Sequence, residues 1–140
     1  MSKIAVVYWS ATGNTEAMAA AVAEGAKSAG AEATLFTAAE FDGGMLDSFD
    51  AVAFGCPAMG AEVLEESEFQ PMFDSCEAKL SGKKTALFGS YGWGDGEWMR
   101  NWEETCREDG AVLAAEPVIC NEAPDDSALA ECNALGKALA

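Results

Sequence analysis

The chain has 140 residues, with 24 acidic side chains against 8 basic ones and no histidine, giving a net charge of −16. Half of the residues are apolar, so residues 1–140 suit one folded domain with a full core and not a disordered acidic tail. The charge argues against duplex nucleic acid and anionic membranes, which need clustered Lys and Arg, and without imidazole there is no Ser-His or Cys-His dyad and no histidine-ligated metal.

Ile4–Trp9 is a continuous apolar run of the kind buried on both faces of a parallel sheet. The polar stretch Ser10–Thr15 follows, then an alanine-rich helix to about Ala29 that closes at Gly30, with Met18, Val22 and Ala26 on its buried stripe. Glu32–Ala38 reads as a second strand, Phe41–Phe49 as a short helical connection and Ala51–Gly55 as a third strand entering the loop Cys56–Glu62. Ser67–Leu80 is predicted helical, with Phe69, Met72, Phe73 and Cys76 on one face. Lys84–Gly89 is a fourth strand, Ser90–Gly96 a glycine-rich loop and Glu97–Glu108 a helix. Ala111–Cys120 holds a fifth strand with an edge-like end at Pro117, and Asp125–Leu139 closes the chain as a helix capped by Asp125 or Asp126. Strands alternating with helices predict a βα-repeating domain around a parallel sheet.

The five cysteines, at 56, 76, 106, 120 and 132, form no CxxC pair and are odd in number. They read as reduced, mostly core residues of a cytoplasmic protein. The opening apolar run is too short for a signal peptide, and no stretch reaches the roughly 20 apolar residues of a membrane span.

Three loops fall at strand carboxyl ends, where ligands of open α/β sheets bind: Ser10–Thr15, Cys56–Glu62 and Ser90–Gly96. The first combines three hydroxyls, one amide and the free N–H groups of a helix start, which together suit an anion. It contains no Lys or Arg, so it is neither a Walker A loop nor a dinucleotide fingerprint. Trp98 and Trp102, four residues apart, read as helix packing, and Trp9 as structural.

The segment Trp9-Ser10-Ala11-Thr12-Gly13-Asn14-Thr15-Glu16 resembles the phosphate loop of flavodoxins. Ala58-Met59-Gly60-Ala61-Glu62-Val63-Leu64-Glu65-Glu66-Ser67-Glu68-Phe69 and Ala86-Leu87-Phe88-Gly89-Ser90-Tyr91-Gly92-Trp93-Gly94-Asp95-Gly96 resemble the short-chain, clostridial-type members of that family. The likeness runs in order along nearly the whole chain. It implies a flavodoxin-like α/β fold: a three-layer αβα sandwich around a five-stranded parallel sheet of order 2-1-3-4-5, for which flavodoxin itself is a type example.

It also implies non-covalent FMN. Ser10, Thr12, Asn14 and Thr15 would bind the phosphate, with backbone N–H groups from Ala11 and Gly13. Met59 would lie against the inner face of the isoalloxazine and Trp93 would cover the outer face, Pro57 and Ala58 would be further cofactor-binding positions of the second loop, Glu62 would accept from the flavin N3–H, and Ser90, Tyr91, Gly92 and Gly94 would add phosphate and pyrimidine-edge contacts. Asn121 is a weaker candidate for the rim. The peptide after Gly60 would turn over so that its carbonyl accepts from flavin N5–H. Two departures stand out: Ala61 where relatives often have aspartate, and Pro57 where they commonly have serine.

The implied function is a low-potential one-electron carrier cycling mainly between semiquinone and hydroquinone, with no catalytic side chain and no metal. A carboxylate about 10 Å from a negatively charged flavin costs roughly 0.4 kcal/mol in water, or roughly 17 mV for a one-electron couple. Partners would be redox proteins with basic docking faces that meet Glu62–Glu68 and Asp95–Glu97, and the carrier would be a monomer. The alternative is a flavodoxin-like NAD(P)H-dependent FMN reductase, which needs room over the flavin and cationic contacts. A phosphoacceptor domain needs an acidic cluster at strand ends, where this chain has Tyr8-Trp9-Ser10.

Overall fold

Continuous apolar strands and amphipathic helices assemble here into three layers. The computed structural model describes residues 2–59, 63–92 and 94–140. In chain order the elements are β1 (Lys3–Tyr8), α1 (Asn14–Ser28), β2 (Glu32–Thr37), a 3-10 turn (Ala38–Glu40), α2 (Gly43–Leu46), β3 (Ala51–Gly55), α3 (Phe69–Glu77), β4 (Lys84–Tyr91), α4 (Glu97–Glu108), β5 (Val112–Leu113), β6 (Val118–Asn121) and α5 (Asp126–Leu139). The sheet runs β2-β1-β3-β4-β5 with every pairing parallel, and β6 also pairs β4.

The strand runs are continuously apolar because both faces are covered. Ala5, Val7, Val52, Phe54 and Leu87 point to the layer of α2, α3 and α4. Ile4, Val6, Ala51, Ala53, Ala86 and Phe88 point to the layer of α1 and α5. Helices α1 and α5 approach backbone to backbone: a methyl group at Gly25 would overlap the Asn133 carbonyl, and one at Gly136 would overlap the Val22 carbonyl. Trp98 and Trp102 are buried, and Trp102 meets Phe69 and Phe73 edge-on at ring separations of 5.5 and 5.8 Å. Their spacing of four residues serves packing.

The fifth strand position is shared by two short segments. Val112–Leu113 pairs Lys84 and Thr85, whereas Val118–Asn121 pairs Phe88–Tyr91. Between them lies Pro117, which has no N–H for a ladder. Asp125 caps α5, its Oδ1 accepting from Ala128 N at 2.8 Å. Among the described residues no helix is long and apolar enough to cross a membrane. All five cysteines are free thiols, four of them buried and Cys120 partly so.

The chain leaves β1 through α1 for β2 on one side, then returns for β3 on the other. The carboxyl ends of β1 and β3 therefore flank the point where strand order reverses, the crevice that receives ligands in such sheets.

Candidate functional site

Loop Ser10–Thr15 turns directly from β1 into α1. Gly13 is the N-cap residue, at φ +93°, a left-handed conformation that costs a side-chain-bearing residue roughly 1–2 kcal/mol. Its N–H donates to Ser10 Oγ at 3.1 Å. No side chain caps the helix start, so the first-turn amides of α1 face the crevice with their donors available. Thr15 is buried, and its Oγ1 lies 3.3 Å from Ser90 Oγ, also buried, which joins the first loop to the third.

The second loop is held from several sides. Ala58 N donates to Ser90 O at 3.0 Å. Met59 and Val63 exchange two backbone bonds, 2.9 and 3.1 Å, in an antiparallel bridge. Trp98 Nε1 donates to Cys56 O at 3.1 Å. Beyond the bridge, Glu65 turns inward and accepts from Ser67 N at 2.9 Å, Glu68 N at 2.7 Å, Phe69 N at 2.9 Å and the Ser67 hydroxyl. Burial pushes its carboxyl up, but these donors outweigh burial and hold it down at about 2. The neighbouring Glu68 accepts from Trp9 Nε1 at 3.0 Å.

On the third loop Tyr91 packs on Trp98 with ring centres 5.6 Å apart. The Tyr91 carbonyl accepts from Glu122 N at 2.7 Å and from Asn121 Nδ2 at 3.2 Å, which ties the end of β6 to the site. Glu122 stands at φ +57°, the one residue other than glycine with positive φ among those described.

These loops enclose a cavity of about 500 Å³, lined by Trp9, Ser10, Ala11, Thr12, Asn14, Thr15, Pro57, Ala58, Met59, Ser90, Tyr91, Gly92, Glu122 and Ala123. Its volume lies in the range of small-molecule sites. Ser10, Thr12, Thr15 and Ser90 supply hydroxyls to the lining, while Trp9, Met59 and Tyr91 supply apolar surface. No Lys or Arg is among the lining residues. Gly92 has nothing within 4 Å of where a side chain would start, so its backbone stays open to a ligand.

Eleven expected site residues thus meet at one cavity: Ser10, Ala11, Thr12, Asn14, Thr15, Pro57, Ala58, Met59, Ser90, Tyr91 and Gly92. Gly13 lies behind it, in an adjoining cleft with Tyr8 and Glu16. Gly94 is exposed, at φ +87°, away from the lining. Gly60, Glu62 and Trp93, and with them Ala61, lie outside the described residues. Asn121 serves the rim through its bond to Tyr91. Sequence reasoning missed Trp9, Glu122 and Ala123 as lining. Trp9 had a signal, since it ends β1 next to the phosphate-like loop; Glu122 and Ala123 had none, because only β6 pairing with β4 brings them there.

The flavodoxin family model matches residues 6–136. The chain is similar to the flavodoxin of Clostridium beijerinckii, 46% identical over 135 residues that cover 96% of this chain and 97% of that protein. It is 44% identical to the flavodoxin of Megasphaera elsdenii over 137 residues, 98% of each chain. The solution structure of the two-electron reduced M. elsdenii flavodoxin superposes with a TM-score of 0.90 and covers 97% of both chains. A flavodoxin from the domain Archaea, 30% identical, gives 0.86 over 98% of this chain and 95% of that one.

Proposed function

The chain belongs to the flavodoxin family, FMN-binding electron carriers and not enzymes, and on that premise we propose how its own residues hold the cofactor. Ser10, Thr12 and Asn14, the Thr15–Ser90 hydroxyl pair and the uncapped amides of α1 would hold the phosphate at the first loop. Because no lining side chain is cationic, hydrogen bonds and the helix N-terminus carry this recognition. The ring would be held at Met59 and Tyr91, with Pro57, Ala58 and Gly92 beside them in the lining. Gly60, Glu62 and Trp93 keep the roles the family likeness implies: peptide carbonyl toward N5, acceptor for N3–H, and outer stacking surface.

When bound, FMN supplies one-electron chemistry. The chain's part is to bind it, exclude water from it and surround it with carboxylates that oppose added negative charge. The observation that carries this reading is one cavity at the switch point of the sheet, lined by the hydroxyls of Ser10, Thr12, Thr15 and Ser90 together with Trp9, Met59 and Tyr91.

The docking face is the rim that carries Glu66, Glu68, Asp95, Glu97 and Glu122, all exposed. A basic face on the redox partner would be steered to it, faster at low salt. Glu65, by contrast, is turned inward and takes no part in docking. The carrier works as a cytoplasmic monomer, in keeping with its five unpaired thiols.

An anaerobic dithionite titration of FMN-loaded protein, followed by visible absorption, tests this reading. Two resolved one-electron steps are expected. A single two-electron bleach, or apoprotein that takes up no FMN, would overturn it.

A further inference from the structure

One buried pair of residues joins the two ends of the second loop without lining the cavity. Cys56 directly follows β3 and is fully buried. Its Sγ accepts from Glu65 N at 3.4 Å, and its thiol donates to Pro57 O at 3.5 Å. The Cys56 backbone is fixed in turn: its N–H donates to Phe88 O at 3.1 Å, and its carbonyl accepts from Trp98 Nε1 at 3.1 Å. Glu65 is anchored equally well, since its carboxylate gathers the first amides of α3. Between these anchors lies Met59, pinned once more by its bridge to Val63.

We propose that Cys56 is a positioning residue of the redox centre: with Glu65 it forms a clasp across the base of the loop. The clasp sets where Met59 stands toward the cavity and so toward the flavin it would hold. The proposal rests on the FMN reading above and goes beyond it, because neither Cys56 nor Glu65 reaches the cavity.

Three physical points support it. Sulfur is the acceptor that the structure gives the buried Glu65 amide, and a buried amide left without one is costly. A polarizable thiol can accept on one side and donate on the other at long separations, so one atom bridges both ends of the loop. Burial, with the Glu65 charge adding to it against the bond from Glu65 N–H, pushes the thiol up to about 12. It therefore stays protonated and donating at neutral pH, and is a poor target for oxidation.

The test compares Cys56→Val, which keeps apolar bulk but neither donates nor accepts, with Cys56→Ser, which keeps both functions. Amide exchange at Glu65 is measured on the FMN-free protein, and FMN affinity and the gap between the two one-electron midpoint potentials on the loaded protein. The clasp predicts exchange about fivefold faster and FMN binding about fivefold weaker in C56V, with a changed gap, from the loss of one hydrogen bond's net worth. C56S should stay between C56V and the parent on every readout. C56V that matches the parent, or C56S that departs as far as C56V, would overturn the proposal, since bulk alone would then account for the residue. Parent protein that binds no FMN would overturn the underlying reading, and that is seen before any variant is compared.

Discussion

Ser10–Thr15 and Pro57–Met59 contribute to the same cavity but are held by different means. The first loop keeps its shape mainly through near neighbours: Gly13 at positive φ, Ser10 Oγ capping Gly13 N, and α1 beginning at once. The second is held by groups delivered from elsewhere, Ser90 O from β4, Trp98 Nε1 from α4 and the amides of α3 gathered by Glu65. An anion cradle needs only a strand, a turn and a helix start. The second loop, which brings Met59 to the cavity, takes supports from three elements, because no local pattern fixes it.

That contrast can be broken at Glu65 with the largest expected effect. Glu65→Gln loses the charge that gathers four donors, and hydrogen bonds to charged groups are worth about 1.5–3 kcal/mol each at a fully formed site. A loss of about 2–3 kcal/mol in urea unfolding at pH 7 is expected, with the second loop affected first in hydrogen exchange. The pH dependence has a definite sign. The carboxyl is held at about 2 in the folded chain against an ordinary 4.5, so its contribution is complete above the ordinary value and fades as pH falls toward about 2. The stability difference between parent and E65Q should therefore shrink between pH 5 and pH 2. A difference independent of pH would show that the charge is not what matters.

Gly13→Val attacks the first loop where its geometry is local. Nothing crowds the position, so the cost is the left-handed backbone, roughly 1–2 kcal/mol and more for a β-branched residue. FMN affinity, read by quenching of flavin fluorescence, should fall about tenfold, with the gap between the two midpoint potentials little changed. A large change in that gap would mean that the two loops are not separable.

Thr15→Val has the smallest effect and joins the two ends of the comparison. It removes a hydroxyl 3.3 Å from Ser90 Oγ and leaves Ser90 buried without that partner. Weakening of FMN binding by about fivefold is expected, from about 1 kcal/mol, together with slower uptake of inorganic phosphate by the apoprotein. Unaltered affinity would remove the hydroxyl pair from the cradle.

The elements that could be read from sequence are those set by local chemistry. Helix α4 spans Glu97–Glu108 and β3 spans Ala51–Gly55, as their patterns predict. Helix α3 is shorter than its apolar pattern, Phe69–Glu77 in place of Ser67–Leu80: at its start Glu65 collects the Ser67, Glu68 and Phe69 amides, and at its end Lys79 N and Leu80 N donate to Cys76 O and Glu77 O in tight turns. The acidic stretch Glu62–Glu68 is read from sequence as one docking surface, yet Glu65 is 6% exposed while Glu66 is open to solvent. Which carboxylate turns inward depends on where α3 starts, and spacing alone does not carry that. The fifth strand is a similar case: Pro117 marks its weakness, but only pairing with β4 shows two segments at different heights along that strand.

By itself, then, the sequence determined the alternation of strands and helices, the two-sided burial of the sheet, the anion-binding turn and the absence of imidazole chemistry. These follow from hydrophobic periodicity, backbone conformation and composition, which act within a few residues. Tertiary structure decided that Trp9, Glu122 and Ala123 share a cavity with the three loops, that Glu65 is buried as a cap on α3, and that a thiol spans the base of the second loop. Those facts depend on strand order and on contacts as distant as Thr15 to Ser90, and such contacts exist only once the sheet has brought its carboxyl ends together.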